Sequence, residues 1–98
     1  MGYSINFSEE KNQLLKASRQ ICFDDILEAI QQNRLIGHIK HFKADKYPNQ
    51  RLLLVEIDEY IYVVPYVKDL QRKEIYLKTV YPSRKFTKIY KNKQKNEK

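Results

Sequence analysis

Eight of the chain's nineteen basic side chains fall in residues 78–98, where Glu97 is the only acid. That stretch carries +7, while residues 1–77 hold eleven cations and eleven anions and sum to zero. A neutral body with a strongly basic end is the charge footprint of a chain that meets a polyanion, either a nucleic acid or an acidic protein. Within the stretch Arg84 has the most specific chemistry, because a planar guanidinium holds two phosphate oxygens at once. Pro82 and Ser83 stop one element and cap the next, which puts Arg84 at a helix N-terminus among backbone N–H groups that also attract anions. Lys85 and Lys88 follow on the same helix. Lys78 lies on the preceding strand and is expected to point to a face shared with Glu56 and Tyr62. The plain structural reading makes Glu56 and Lys78 a cross-strand pair worth ~0.2–1 kcal/mol. It makes residues 91–98, rich in Lys, Asn and Gln, a solubilising tail.

Arg51 opens another strand and can approach the same place from its beginning. His38 and His41 lie three apart, but the alternating pattern around Gly37 suggests a strand or loop, where the two face opposite ways. Neither has an acidic or cysteine neighbour, so no metal site is expected. His41 can serve as a general acid or base, the usual role of a histidine side chain. Tyr47, Tyr60, Tyr62, Tyr66, Tyr76 and Tyr81 can stack nucleobases beside cations, or sit half-buried in strands as tyrosines commonly do. With only Gly2 and Gly37 available there is no glycine-rich phosphate loop, and no cofactor is expected. The single cysteine, Cys22, cannot close an internal disulfide and reads as a small buried residue.

These residues need a scaffold, and 98 residues suit one domain. We read residues 1–90 as that domain and residues 91–98 as a disordered basic tail. No run approaches the ~18 apolar residues of a membrane span, and a reducing cytoplasm fits a lone cysteine. The alternation at Tyr3–Phe7 suggests a short extended lead-in. Ser8 is placed to cap a helix over about residues 8–19, with Glu9 and Glu10 at the positive end of its dipole. Asp24 and Asp25 open a second helix to about residue 32, with Asn33 at its exit. Residues 35–42 read as a weak strand and 43–50 as a loop. Three β-rich runs follow at 51–58, 60–67 and 74–81, with connections too short for anything but an antiparallel meander. Pro65 cannot donate to a ladder, which implies a bulge or an edge-facing position. A loop of odd length at 58–60 would pair Ile57 with Ile61 and Val55 with Val63. That gives one wholly apolar face for the helices and one mixed face, carrying Glu56 and Tyr62, for a site. A two-residue turn would instead set Glu56 among Ile61 and Val63, at a cost of several kcal/mol unless it is paired. Ser83 caps a last, basic helix from 84 to about 91. The class is α+β: two N-terminal helices on a three- to four-stranded antiparallel sheet, then a basic C-terminal helix.

This order, with Phe7-Ser8-Glu9-Glu10-Lys11, Ile21-Cys22-Phe23-Asp24-Asp25, Arg51 leading its strand and Ser83-Arg84-Lys85-Phe86-Thr87-Lys88, resembles the BrnT family of small bacterial ribonuclease toxins, which have a RelE-like fold. The likeness spans residues 5–90. Lys11, Phe23, Arg51, Arg84, Lys85, Thr87 and Lys88 match the family's residue types. The chain departs from the family at Phe7-Ser8 (usually Trp-Asp), Ser18-Arg19 (usually Lys-His), Leu15 (usually Asn) and Thr79 (usually Arg). The resemblance implies the toxin of a toxin–antitoxin pair: a metal-independent endoribonuclease that cuts mRNA, on or off the ribosome, and is silenced by a cognate antitoxin over its basic face. Such cleavage must deprotonate the 2′-hydroxyl, balance charge on the phosphorane and protonate the leaving 5′-oxygen. The candidate catalytic residues are Arg84, Lys78, Arg51 and Glu56; those for RNA binding are Lys85, Lys88, Tyr62, Tyr81 and His41. Two readings of other classes compete: a non-catalytic nucleic-acid-binding module on the same patch, and an interaction domain that docks an acidic protein.

Overall fold

Short polar groups start each helix of the computed structural model, which describes residues 3–19 and 21–96. After strand β1 (Ser4–Phe7), Ser8 Oγ accepts the Lys11 N–H at 3.2 Å and begins α1 (Glu9–Arg19). Helix α2 (Phe23–Gln31) is held from two sides. The Asp25 carboxylate accepts the Cys22 N–H at 3.0 Å, and Asn12, buried on α1, accepts the Phe23 N–H at 2.8 Å. Asn33 leaves α2 in the left-handed region, φ 64°, as its role at the helix exit requires.

The strands are β2 (Leu35–Lys40), β3 (Gln50–Ile57), β4 (Tyr60–Asp69), β5 (Glu74–Leu77) and β6 (Tyr81–Pro82), followed by α3 (Arg84–Asn96). The class is α+β with three helices and a six-stranded mixed sheet, ordered β1-β5-β4-β3-β2, with β6 also on β4. The sequence expects three or four antiparallel strands. The difference is largest at β1, which pairs parallel to β5 across about seventy residues of chain, a contact without a local signal. Residues 91–96, expected in a disordered tail, continue α3, and residues 97 and 98 lie outside the described residues. No described helix is long and apolar enough to cross a membrane.

The turn between β3 and β4 corrects the expected register. It has two residues, Asp58 at φ 53° and Glu59 at φ 65°, the mirror-image turn that matches strand twist. Ile57 therefore faces Tyr60, Val55 faces Tyr62, and Glu56 faces Ile61. Alternation then gives β3 and β4 one face of Leu53, Val55, Tyr62, Val64 and Tyr66, which packs with Leu15, Phe23, Ile26 and Ala29 of α1 and α2. The other face carries Leu52, Glu56, Ile61 and Val63 and lies under α3. Glu56 escapes the cost of lone burial because Arg34 Nη1 lies 3.5 Å from its carboxylate and the Tyr90 hydroxyl donates to it at 3.4 Å.

Pro65 marks the other irregularity. In this register its missing N–H points away from β3, toward the edge shared with β5 and β6. Its carbonyl accepts the Lys78 N–H at 2.8 Å. Thr79 and Val80 then separate Lys78 from Tyr81, where β4 has only Val64 between Pro65 and Val63, so the strand bulges. Val80 is fully buried in the cluster beneath α1 and α2.

Past β6 the edge of β4 is closed by α3. Ser83 N–H donates to the Ile61 carbonyl at 2.9 Å, and Thr87 Oγ1 accepts the Ile61 N–H at 2.8 Å while donating to the Ser83 carbonyl at 2.6 Å. Thr87→Val keeps the shape but orphans a buried N–H, a loss of about 1–3 kcal/mol. The expected result is a lower urea midpoint with an unchanged m-value, together with faster amide exchange at Ile61.

Candidate nucleic-acid interface

Lys78, Tyr81 and Arg84 follow one edge of β4 from Pro65 to Ile61, about 13 Å of strand. Lys78 is exposed, its ammonium 5.5 Å from the centre of the Tyr76 ring. Tyr81 pairs with Val63 on the α3 side of the sheet and is half-buried, which raises its phenol above the ordinary value of 10.0. Arg84 begins α3, and Ser83 Oγ accepts the Phe86 N–H at 3.1 Å. The N–H groups of Arg84 and Lys85 keep no partner among the described residues.

Helix α3 sets Thr87, Phe86 and Tyr90 toward the sheet and Arg84, Lys85, Lys88 and Lys91 toward solvent. Arg84, Lys88 and Lys91 stand at i, i+4 and i+7, one row of like charge. Such neighbours repel, and cations at the first turn oppose the helix dipole. The first turn holds no acid, and no ion pair relieves these side chains among the described residues. The helix is therefore electrostatically incomplete on its outer face, where phosphate oxygens would complete it.

The remaining candidates lie elsewhere. Glu56 is on the α3 side of the sheet, its side chain 17% exposed and tied to Arg34 and Tyr90. Arg51 and Tyr62 belong to the opposite face, by their pairing with Tyr66 and Val55. Tyr62 lines a cleft of about 610 Å³ together with Asp25, Glu28, Asp58 and Glu59, with Arg34 as its cation. Four carboxylates repel phosphate, so Tyr62 stands apart from the basic helix. His41 sits in the loop after β2, its Nδ1 accepting the Lys43 N–H at 3.0 Å. Among the described residues no three His, Cys, Asp or Glu side chains gather to hold a metal ion. The mixed face that was to unite Glu56 with Tyr62 does not exist, because the two-residue turn sends them to opposite sides.

Sequence reasoning passed over Arg34 and Asn12, and named Thr87 for its likeness to the family without its bond to β4. Arg34 acts on Glu56, twenty-two residues away, and no local pattern announces it. Thr87 had a signal, a hydroxyl four residues after the capping Ser83. The chain matches no family model, no curated protein and no solved structure.

Two outcomes test this surface. Arg84→Glu puts an anion at the positive end of the helix and removes repulsion with Lys88, so the free protein gains about 0.3–1 kcal/mol at low salt. Urea midpoints with and without added salt measure it. For Tyr81, both folded and unfolded states are protonated well below the ordinary value of 10.0, and the phenol adds no pH dependence there. As pH rises through that value the unfolded chain gives up the proton first, so stability falls. Tyr81→Phe removes part of that alkaline loss, seen in midpoints at about pH 9 and about pH 11.

Proposed function

We propose that the chain is the toxin of a toxin–antitoxin pair, a metal-independent endoribonuclease of the BrnT kind with a RelE-like fold, that cuts mRNA and stops translation. The observation that carries the RNA side of this reading is the uncompensated cationic row on α3, continued by Lys78 along the edge of β4. The cleavage side is supported by the BrnT resemblance of Ser83 to Lys88. Arg84 clamps the scissile phosphate through two oxygens and Lys78 balances charge on the phosphorane. The Tyr81 phenol, on the same edge, is the proton donor for the leaving oxygen, and the 2′-hydroxyl proton passes to solvent water. Lys85 and Lys88 hold flanking phosphates. Glu56 acts through Tyr90 to seat the helix. An antitoxin with an acidic surface would cover the same row, and a ribosome-bound message would present the same phosphates.

One observation favours a second reading, a module that binds RNA without cutting it. From residue 75 to residue 96 the chain has no carboxylate and no imidazole, the usual proton acceptors.

Induction of the wild type should arrest growth, and Arg84→Ala should relieve the arrest. The purified protein should cut single-stranded RNA in the presence of a chelator. Arg84→Ala should lower that rate by about 10²–10³-fold, with affinity kept within a few-fold. Salt-dependent binding without cleavage would replace the enzyme by the module, and no RNA binding at all would overturn both.

A further inference from the structure

Away from α3, the loop between β2 and β3 brings three aromatic rings together. His41 is stacked on Phe42 with ring centres 4.8 Å apart and planes at 26°, and Tyr47 lies 4.8 Å from His41 on a tilted plane. The loop is shaped by its own hydrogen bonds. Tyr47 N–H and Lys46 N–H both donate to the Lys43 carbonyl, at 2.9 and 3.0 Å, and Gln50 N–H donates to the Tyr47 carbonyl at 3.1 Å. Lys43 N–H donates to His41 Nδ1. Phe42 is nonetheless 68% exposed, and Tyr47 36%. A folded chain normally hides such rings, and here the loop displays them.

Cations surround the rings. Lys40, Lys43 and Lys46 are all exposed, and the Lys46 ammonium lies 5.8 Å from the centre of the Tyr47 ring. Arg51 sits opposite Lys40 in the ladder, and Asp45 is the only acid from residue 40 to residue 51. Flat apolar rings flanked by flexible cations match one ligand chemistry. Unpaired nucleobases stack on aromatic faces without regard to sequence, while the linking phosphates meet the cations.

We propose that this loop is a second RNA contact, at which unpaired bases stack on Phe42 and Tyr47 while Lys40, Lys43 and Lys46 hold the phosphates. The inference rests on the RNA reading above and adds to it a second binding site, on the loop between β2 and β3, that takes unpaired bases.

The chain has no tryptophan, so Phe42→Trp installs one reporter at the site. Its fluorescence should be quenched by a single-stranded oligonucleotide and much less by the same sequence as a duplex. Phe42→Leu, at an exposed position, should keep the circular dichroism spectrum. It should weaken binding of the single strand by about tenfold, with little change for inorganic polyphosphate, which has no bases to stack. Lys85→Glu with Lys88→Glu should weaken both ligands. No quenching, or an equal loss on polyphosphate, overturns the stacking platform. Unchanged affinity in Phe42→Leu with loss in the α3 variant also overturns the platform and leaves the α3 reading standing. The converse pattern removes α3 and keeps the loop. Tryptophan emission that follows protein concentration but not RNA marks self-association instead and overturns the proposal.

Discussion

The edge of β4 that faces away from β3 is the constraint on which the arrangement depends. Backbone groups on a central strand must be paired, and Pro65 supplies a carbonyl there but no N–H. The neighbouring strand can therefore bulge opposite Pro65, and it does so at Thr79 and Val80. Val80 enters the core as a result, Tyr81 turns to the α3 side, and the short strand that resumes leaves Ile61 with an open N–H. Thr87 closes it from the second turn of α3. One missing donor thus leads to the bulge, the bulge to the short strand, and the short strand to the seat of the helix that bears Arg84. The cations are aligned along this edge because backbone pairing demands it.

Charge is sorted by the same fold. Residues 1–77 are neutral in sum, yet Asp25, Glu28, Asp58 and Glu59 collect around one cleft on the α2 side of the sheet. Across the sheet, α3 presents its cations outward. The helix tolerates like charges and an opposed dipole because Ser83, Thr87 and Tyr90 attach it to β4 and β3. Its stability comes from those tertiary bonds and not from its own electrostatics, which are unfavourable. A surface maintained against its own repulsion is the arrangement expected where an anion is the usual neighbour.

Local signals carried much of this into the sequence. Ser8, Asn33 and Ser83 sit at helix ends for reasons of capping, and Pro65 announces an irregularity in the ladder, a bulge or an edge-facing position. The concentration of cations after residue 77 is visible by counting, and Arg84 at a helix start follows from Ser83. What was not legible depends on distant partners. A two-residue turn looked too costly because Glu56 had no visible counterion, and Arg34 is not one until the chain folds. Asp58 and Glu59 also lack the glycine that usually marks a mirror-image turn. The shifted register then divided the expected site, since moving a strand by one residue exchanges its faces. Tyr62 and Glu56 were separated by that single step. The parallel pairing of β1 with β5 is of the same kind, a long-range contact that no window of sequence contains.

The proton chemistry along the edge is asymmetric. Burial raises the Tyr81 phenol above its ordinary range, so it holds its proton more firmly and takes none from a substrate hydroxyl. Arg84 contributes charge and a planar two-pronged geometry. Glu56, the carboxylate that bonds α3, already accepts from Tyr90 and faces Arg34, and using it as a base would loosen the seat of the helix. Lys78 is the group at this edge whose surroundings leave it uncommitted except for the Tyr76 ring. A cutting enzyme built on these residues would therefore draw its rate from clamping and charge balance more than from a strong base. Its activity would depend most on Arg84, the one guanidinium on this edge among the described residues, and least on the lysines that share its charge.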